Sequence, residues 1–571
     1  MRKGTRRLAA FAFALALAML FGLAGCGSAP AATTAAMETT AAATQAEAPT
    51  EAKEETTEAA ATAAETQAEE TTAPAADAEE VTVDIAIVGA GASGTTAACA
   101  AIDGGAQVLM VEATGDVGGI SKMFAGGPFA VESELMKEAG GDYAAISHEE
   151  VIQTLIDYAH FINYGPLVKA IVETSGDTIT WLEKWGLSFH VNPDTPQVAH
   201  RDDNLKWMMY HWYDTFTYDH SDPTKLEAMD LLHASLKDAG LDLRFKTVCT
   251  ELLQDENGVV NGIVATKEDG SQLIVHAKAV ILATGGYGGN AELMQEFYNT
   301  PNISMWGVDG SGVQMAWDAG AAKWDVASSL FHGNGMAVPS SVSNTGFGRI
   351  TASPLFWVDQ SGNRFCNEEA VWDTAYATNV AYGVGGKFYI VVDTATLNTY
   401  SEDVNPPIQM DTAVGGPNMD PADFVEQAEI GVSEGAIFKG ETIEELAQVL
   451  GMEPERLAKN VAEYNEAVAT GQDVYGKSAE SLVFPVEEGP FYAIPMQMGN
   501  LGTLGGVRVN ERLQACDVNL KPVPGLYVVG NCAAGFYGNT TCYPPYEGLA
   551  TGFALNSGRI GGASAAEDIK K

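Results

Sequence analysis

The hydrophobic pattern of the chain changes sharply at Val81, where the folded body is predicted to begin. The run 83–88 is mostly apolar and β-branched and ends at Gly89, which is typical of a buried parallel strand. A helical pattern follows from Ser93 to about Gly104, and a second strand is predicted from Gln107 to Glu112. A strand, a helix and a second strand in this order form a βαβ unit, so we expect an α/β fold.

Two later segments also carry a recognisable pattern. Residues Val248 to Val264 predict a β-meander that turns at Glu256-Asn257-Gly258, since these residue types favour turns. The segment from Thr442 to Ala469 is predicted to form a pair of helices.

The N-terminus has the pattern of a targeting segment. Basic residues between Arg2 and Arg7 precede an apolar run from Leu8 to Leu23, which is too short for a standard membrane-spanning helix. Leu23-Ala24-Gly25-Cys26 resembles the bacterial lipobox, which implies cleavage before Cys26 and acylation of its thiol. We therefore expect an extracytoplasmic lipoprotein anchored to the membrane at Cys26, with a plain secretion signal as the alternative.

Residues 27–80 consist almost entirely of Ala, Thr, Glu, Gln and Pro. Such a segment cannot bury enough apolar surface to offset the entropy lost on ordering, so we predict a disordered tether. Its expected role is to hold the folded body away from the membrane.

Charge and cysteine spacing exclude several function classes. Asp and Glu number 75 against 31 Lys and Arg, and the resulting net charge of -44 repels nucleic acid phosphates. We therefore expect no nucleic acid partner. The sequence contains no Cys-x-x-Cys, which argues against c-type haem and against iron–sulfur or zinc sites built on cysteine pairs. We predict no metal site.

The loop after the first predicted strand fits the Gly-x-Gly-x-x-Gly pattern of dinucleotide binding, at Gly89, Gly91 and Gly94. These glycines allow a tight turn, a close approach of the backbone to a pyrophosphate, and close packing of helix on strand. Glu112 ends the second strand, where its carboxylate can accept hydrogen bonds from ribose hydroxyl groups. NAD and FAD share this pattern, so the loop by itself leaves both cofactors open.

Three further segments have characteristic patterns: the glycine-rich loop 118–127, the strand and turn 279–290, and the strand 524–531, which ends in Asn531. They resemble signatures of the fumarate reductase and succinate dehydrogenase flavoprotein superfamily, in which a Glu is usual at the place of Asn531 and which includes flavocytochrome c, urocanate reductase and 3-ketosteroid dehydrogenase. The resemblance spans about Val81 to Gly562 and implies an FAD cofactor. Non-covalent FAD is expected, because Lys122-Met123-Phe124 offer no counterpart to the His that attaches flavin in some relatives.

The resemblance also implies which residues bind FAD and how the chain is divided. The implied FAD-binding residues are Gly89, Gly91, Ala92, Ser93, Gly94, Glu112, Ala113, Gly119, Ile120, Ser121, Gly126, Gly127, Val248, Ala283, Thr284, Gly285, Gly530, Asn531 and Ala550. The implied fold is a Rossmann-like FAD-binding domain interrupted by an α+β capping domain. We expect a signal peptide at 1–26, a tether at 27–80, an FAD-binding domain at 81–332 and 499–571, and the capping domain at 333–498.

The catalytic segment departs from the reductases of this superfamily. Those enzymes use an Arg as proton donor in a segment of the form Gly-x-Arg-Phe-x-Asn-Glu-x-x-x-Arg-Asp, and the stretch 362–373 has Trp372 in the place of that Arg. An indole N–H neither pairs bidentately with a carboxylate nor relays a proton at ordinary pH. We therefore expect a larger, less charged, aromatic or cyclic unsaturated substrate instead of fumarate. Aromatic side chains are expected to pack it: Trp372, Phe536, Tyr537, Tyr543 and Tyr546.

Three residues are candidates for substrate chemistry. Tyr543 resembles the Tyr of a Tyr-Pro pair in 3-ketosteroid dehydrogenases, and His332 stands where relatives place a substrate-binding His. Arg349 is the only cation near positions 348 and 351, where relatives carry a proton relay. The implied reaction is hydride transfer between flavin and an activated carbon–carbon bond, with electrons exchanged with a separate protein or quinone-linked donor. The alternatives are a dehydrogenase of the ketosteroid kind and a flavoprotein without catalysis.

Overall fold

The computed structural model of this chain describes residues 78–124, 126–191, 209–215, 227–298, 308–324, 329–342, 347–372, 374–402, 422–538 and 546–571. These residues all belong to one compact unit. Within the described ranges, no helix combines the length and the apolar character needed to cross a membrane.

Strands and helices are numbered along the chain. The strands are β1 (Glu79–Val88), β2 (Val108–Val111), β3 (Phe189–His190), β4 (Trp212–Tyr213), β5 (Asp242–Arg244), β6 (Thr247–Gln254), β7 (Val260–Lys267), β8 (Gln272–Leu282), β9 (Ser329–Met336), β10 (Phe356–Val358), β11 (Lys387–Asp393), β12 (Phe438–Gly440), β13 (Phe491–Thr503), β14 (Val507–Arg508), β15 (Gln514–Cys516), β16 (Pro522–Val528) and β17 (Ala533–Ala534). The α-helices are α1 (Ala92–Asp103), α2 (Gly119–Phe124), α3 (Glu134–Ala139), α4 (Gly141–Ala145), α5 (His148–Tyr158), α6 (Gly165–Lys184), α7 (Ala228–Asp238), α8 (Ala291–Tyr298), α9 (Ser311–Asp318), α10 (Gly348–Thr351), α11 (Thr374–Gly383), α12 (Thr394–Glu402), α13 (Phe424–Ser433), α14 (Ile443–Leu450), α15 (Pro454–Thr470) and α16 (Leu549–Asp568). Short 3₁₀ helices span Glu368–Trp372 and Gly530–Cys532.

The larger sheet has eight strands, and its central strands are parallel. Along the sheet the order is β15-β16-β8-β1-β2-β5, and β7 pairs with β8 on one side and β6 on the other. The residues Ile85 to Val88 of β1 are buried because α-helices and neighbouring strands surround them, as parallel sheets require. The predicted βαβ opening is confirmed, and so is the predicted meander, which β6, β7 and β8 form.

Helix α1 packs closely on α16, the last helix of the chain. A Cβ on Gly558 would lie 2.2 Å from the carbonyl oxygen of Ser93, and one on Gly562 would lie 2.2 Å from that of Ala97. Glycine therefore allows the two helix backbones to touch. This contact fixes the direction of α16, whose first turn contains Ala550.

The smaller sheet has five strands, in the order β10-β11-β13-β12 with β9 paired to β13. Helices α14 and α15 confirm the predicted helix pair, and they bury Leu446 and Leu457 against Phe356 of the sheet. Strand β13 pairs with β9 from Met496 opposite Met336 to Thr503 opposite Ser329. The predicted boundaries at 332/333 and 498/499 fall inside these two paired strands, and the division into domains stays a prediction.

Candidate cofactor and substrate site

The loop between β1 and α1 depends on glycines at two close contacts. Gly89 has a φ of 102°, and a Cβ there would lie 2.6 Å from the carbonyl oxygen of Ala283. A Cβ on Gly94 would lie 2.0 Å from the carbonyl oxygen of Gly89. The ends of β1 and β8 and the start of α1 are thus held together at distances that exclude any side chain.

Gly91 differs from its neighbours, because no described protein atom lies within 4 Å of the position that its Cβ would take. It is the N-cap of α1, and no side chain caps the helix there. The first-turn N–H groups, including those of Ala92 and Ser93, therefore face the opening of the loop, where the helix dipole favours negative charge. The space over Gly91 and these donors together fit a pyrophosphate.

Glu112 follows β2 and contacts the same loop. Its Oε2 accepts a hydrogen bond from Ala90 N at 2.8 Å, and its Oε1 accepts bonds from N and Oγ1 of Thr114, both at 2.8 Å. An ionised carboxylate has about four lone-pair positions, so it retains acceptor capacity for a ribose hydroxyl. Ala113, the next residue, is exposed beside it.

A buried histidine beneath this loop was missed by the sequence patterns. His233 of α7 places Nε2 2.8 Å from Thr95 Oγ1, which lies 2.8 Å from the carbonyl oxygen of Gly91. Because the Thr95 hydroxyl donates its one proton to that carbonyl, Nε2 of His233 is the donor toward Thr95. Burial lowers the pKa of His233 to about 4, so the ring is neutral at pH 7. His233 therefore supports the loop without adding charge to it.

The loop that follows β8 and the 3₁₀ helix that follows β16 lie side by side. Cys532 donates its thiol proton to the carbonyl oxygen of Gly285 at 2.8 Å, and its Sγ lies 3.2 Å from Thr284 Oγ1. Gly530, with a φ of 64°, donates its N–H to Ser557 Oγ at 2.9 Å. Ala283, Thr284, Gly285, Gly530 and Asn531 are thereby brought together at the carboxyl ends of two neighbouring parallel strands. Open α/β sheets bind ligands at this edge.

The loop 118–127 joins the same edge through backbone contacts. Gly118 N donates to the carbonyl oxygen of Ala90 at 2.8 Å, and α2 then begins with Gly119, Ile120 and Ser121. The carbonyl oxygen of Gly126 accepts a bond from Tyr213 N at 2.9 Å. A Cβ on Gly127 would lie 1.8 Å from the carbonyl oxygen of His211.

The two remaining predicted cofactor residues approach from other elements. Val248 of β6 is 46% exposed, and its neighbour Thr247 donates its N–H to the carbonyl oxygen of Glu112 at 2.9 Å. Ala550 lies in the first turn of α16, where the carbonyl oxygen of Gly548 accepts a bond from Phe129 N at 2.9 Å. Val248 is therefore next to the Glu112 loop, and Ala550 is next to the loop that contains Gly127.

Of the three candidates for substrate chemistry, Arg349 is the one whose surroundings the structure describes. Arg349 is 2% exposed, and its guanidinium lies 5.7 Å from the ring centre of Tyr400 and 5.6 Å from that of Phe424. This packing between α10, α12 and α13 favours a role in holding those helices together. His332 lies in β9, and Tyr543 lies outside the described residues.

Several aromatic residues that were expected to pack a substrate pack against the protein itself. The ring of Phe536 stacks on that of Phe553 with centroids 4.8 Å apart, and Tyr546 stacks on Phe129 at 5.8 Å. Phe536, Tyr537 and Tyr546 are all buried. These contacts fix the chain on both sides of 539–545, a stretch outside the described residues.

The segment that resembles the catalytic motif of the reductases is anchored by a buried ion cluster. Arg364 donates to the two carboxylate oxygens of Glu368 at 2.7 and 2.8 Å, and to the carboxylate of Asp473. Lys477 Nζ lies 3.3 Å from Glu368 Oε2 and donates to the hydroxyl of Tyr464 at 3.0 Å. The four charged side chains are between 0% and 6% exposed.

This ion cluster explains why the Arg-Phe and Asn-Glu pairs of the reductase motif are present in this chain, although Trp372 replaces the Arg that follows them in the motif. Arg364 and Glu368 stabilise the start of the 3₁₀ helix whose last residue is Trp372. Asp473 and Lys477 complete the cluster from a loop beyond α15, and no sequence motif indicated them. Burial raises the pKa of Asp473 and is the largest single influence on it, but the hydrogen bonds and charge of Arg364, together with backbone N–H donors from Tyr475 and Lys477, leave that pKa below its ordinary value.

The open space at Gly91, the tight turns at Gly89 and Gly94, and the acceptor Glu112 are the features that an adenine dinucleotide requires. A family model described as FAD binding domain matches residues 84–541, which is most of the chain. The chain belongs to this family.

Known relatives of this FAD-binding chain are reductases and dehydrogenases. Vinyl phenol reductase of Lactiplantibacillus plantarum is 29% identical over 502 residues, covering 85% of this chain and 96% of that protein. A fumarate reductase (cytochrome) of Shewanella frigidimarina is 27% identical over 504 residues, covering 87% of this chain and 79% of that protein. The structure of 3-ketosteroid delta1-dehydrogenase from Sterolibacterium denitrificans matches with a TM-score of 0.66 at 20% identity, covering 85% of this chain and 100% of that one. This structural likeness shows a shared fold.

The predicted superfamily, the α/β fold and the FAD cofactor are therefore confirmed. When bound, FAD supplies two-electron hydride chemistry, while the protein binds and orients the cofactor and excludes competing reactions. This chain is a flavin-dependent oxidoreductase acting on CH–CH bonds.

Proposed function

We propose that this enzyme reduces a carbon–carbon double bond in an aromatic or cyclic unsaturated compound and not in fumarate. The arginines of the region 329–503 carry the proposal, and the sequence has Arg349, Arg364 and Arg456 there. Arg349 packs over two aromatic rings, Arg364 binds two buried carboxylates, and Arg456 pairs with Glu453 on an exposed helix face. A dicarboxylate needs guanidinium groups to compensate its two charges, and these three are already engaged.

The similarity to vinyl phenol reductase supports the same substrate class. Vinyl phenol, the substrate in that relative's name, carries no carboxylate and so suits a site without an arginine clamp. Reduction of its double bond requires a hydride at one carbon and a proton at the other. We propose Tyr543 and His332 as the groups that supply this proton, whereas Arg349, the third candidate from the sequence, packs over two aromatic rings and is expected to act through that packing.

Anaerobic turnover with reduced viologen as electron donor tests the substrate class. We expect 4-vinylphenol or a cyclic enone to oxidise viologen with a kcat/KM at least about tenfold above that for fumarate, since a tenfold ratio corresponds to about 1.4 kcal/mol of transition-state binding. Equal or faster turnover of fumarate overturns the proposal. Reduction of an oxidised dye by a saturated ketosteroid, without viologen oxidation, identifies a dehydrogenase.

The same assay tests the proposed acids. Tyr543→Phe and His332→Ala should each lower kcat, because positioned general acids typically contribute about 10²–10⁴-fold. Arg349→Ala completes the set. Wild-type turnover in all three variants contradicts this part of the proposal.

We also propose that the enzyme is a lipoprotein outside the cytoplasm and exchanges electrons with a separate protein. The proposal rests on the lipobox-like sequence ending at Cys26, the polar stretch 27–80, and the lack of any Cys-x-x-Cys-His sequence for haem. Labelling of growing bacteria with radioactive palmitate should mark the wild-type protein and not Cys26→Ala. A wild-type protein that stays unlabelled contradicts the anchor.

A further inference from the structure

Strand β13 brings a buried hydroxyl to the cofactor loop that follows β8. Thr503, the last residue of β13, is 0% exposed, and its Oγ1 accepts a hydrogen bond from Tyr287 N at 3.1 Å. The fit beside it is close, because a Cβ on Gly286 would lie 1.9 Å from the same Oγ1. The loop 285–287 therefore rests directly on the Thr503 hydroxyl.

Two other contacts hold the loop 285–287, one at each end. At one end, the Cys532 thiol donates to the carbonyl oxygen of Gly285 at 2.8 Å. At the other end, the Tyr287 ring packs 5.4 Å from that of Phe297 and 6.3 Å from that of Trp317. Thr503 thus provides a side-chain hydrogen bond to the loop backbone at a position between the Cys532 thiol and the aromatic cluster around Tyr287.

Strand β13 also connects this loop to the smaller sheet. Its first part pairs with β11 and β12, and its last part pairs with β9. The β9 pairing shifts register between Met498 and Asn500 and again between Asn500 and Gly502. Such bulges bend a strand, and here the bend lies just before Thr503.

We propose that Thr503 is a positioning residue that sets the backbone of the loop 285–287 against bound FAD. The hydroxyl oxygen is the group that acts, since it accepts the Tyr287 N–H while the methyl group only fills space. A Val at this position keeps the volume and leaves a buried N–H without this acceptor, whereas a Ser keeps the acceptor. A loop held in this position would contribute to the binding of FAD and to the environment of its isoalloxazine.

Titration of apoenzyme with FAD, together with the visible spectrum and midpoint potential of the holoenzyme, tests this proposal. For Thr503→Val we expect at least about a tenfold rise in the Kd for FAD, with a shifted visible band and a shifted potential. Thr503→Ser should stay within about threefold of the wild-type Kd and keep its spectrum. A Thr503→Val holoenzyme with wild-type Kd, spectrum and potential overturns the proposal.

A matched control separates loop positioning from general destabilisation. Asn465 of α15 accepts a hydrogen bond from Val486 N at 2.8 Å, so Asn465→Leu also removes the acceptor of a backbone N–H, but in the smaller sheet region. We expect it to lower the melting temperature and leave Kd, spectrum and potential unchanged. An equal change in the flavin spectrum of Asn465→Leu contradicts a specific role for Thr503.

If Thr503→Val does not fold, Gly286→Ala tests the same contact from the loop side. Its Cβ would meet Thr503 Oγ1 at 1.9 Å and must displace the loop. We expect a shifted flavin potential in Gly286→Ala, and a wild-type potential overturns the proposal. These readouts use FAD alone, so failure of the substrate proposal does not affect them.

Discussion

The cofactor loops and the segment 362–372 are built by opposite means. At Gly89 and Gly94 the contacts join backbone to backbone, and a single added carbon would clash. In the segment 362–372, charged side chains make the contacts, and the two carboxylates of Glu368 and Asp473 surround Arg364. A backbone contact too close for a Cβ requires glycine, so a glycine at that position of a sequence motif indicates one structural cause. A charged residue in a motif can be catalytic or structural, so its presence does not distinguish these two roles.

The ion cluster shows the consequence of this ambiguity. The letters that resemble the reductase motif are present at Arg364 and Glu368, yet both side chains are buried and paired with each other. Their contacts stabilise the 3₁₀ helix, and that requirement persists whatever residue occupies position 372. Resemblance in this segment therefore supports the fold and says little about the substrate.

The largest expected effect is a loss of stability when a substitution disrupts the ion cluster. Arg364→Met leaves the carboxylates of Glu368 and Asp473 buried with Lys477 as the cation close to Glu368. Removing one partner of a buried ion pair costs about 3–5 kcal/mol, so the free energy of unfolding should fall by that amount. Urea unfolding followed by circular dichroism measures it, with FAD at saturation.

Arg456→Met is the matched control for that variant. Arg456 pairs with Glu453 at 2.7 Å, but the two side chains are 41% and 73% exposed. Exposed pairs contribute about 0–1 kcal/mol, so this variant should unfold near the wild-type urea concentration. Equal midpoints for both variants would refute the structural role of the cluster.

Local patterns predicted the elements well because their causes are local. The helix predicted from Ser93 to about Gly104 runs from Ala92 to Asp103, since the glycine turn before it and the apolar spacing within it lie in neighbouring positions. The predicted cofactor loops follow the strands expected for them, because each needs small residues at a strand end.

The contacts that were not predicted join distant parts of the chain without a motif. His233 lies 138 positions from Thr95, Thr503 lies 216 positions from Tyr287, and Asp473 lies 109 positions from Arg364. A hydroxyl, an imidazole or a carboxylate is compatible with many environments, so its partner emerges only from the packing of the fold. Substrate groups share this property, and this is why the sequence identified the cofactor more closely than the substrate.

The second prediction concerns the glycine-rich loop between β1 and α1. Gly91→Ala places a methyl group where no described protein atom lies within 4 Å, so the apoprotein should fold normally. We expect the Kd for FAD to rise at least about tenfold, which corresponds to about 1.4 kcal/mol of binding free energy, because the pyrophosphate is expected to use that space. Fluorescence titration of the apoenzyme with FAD gives the Kd.

Gly383→Ala is the control, since Gly383 also has no described atom within 4 Å of its Cβ position and lies at the exposed end of α11. It should leave the Kd for FAD unchanged. Tight FAD binding by Gly91→Ala would mean that the opening over Gly91 is not the pyrophosphate site.

The smallest expected effect is a change of stability with pH, and it tests whether Asp473 is ionised within the ion cluster. Burial raises the pKa of Asp473, but the hydrogen bonds from Arg364, Tyr475 and Lys477 and the charge of Arg364 together exceed this effect, so the folded-state pKa lies below the ordinary value of 3.8. A lowered pKa contributes stability that is present above the unfolded value and is lost as pH falls through the folded value. The wild type should therefore be more stable than Asp473→Asn at pH 7, and this difference should shrink below about pH 3.8.

Urea unfolding of both proteins at pH 7, 5 and 3 measures the difference, with Glu453→Gln at the exposed pair as the control. A difference that stays constant across these pH values would mean that Asp473 acts through hydrogen-bond geometry alone, and the contrast between a charged cluster and a backbone-built loop would lose its electrostatic part.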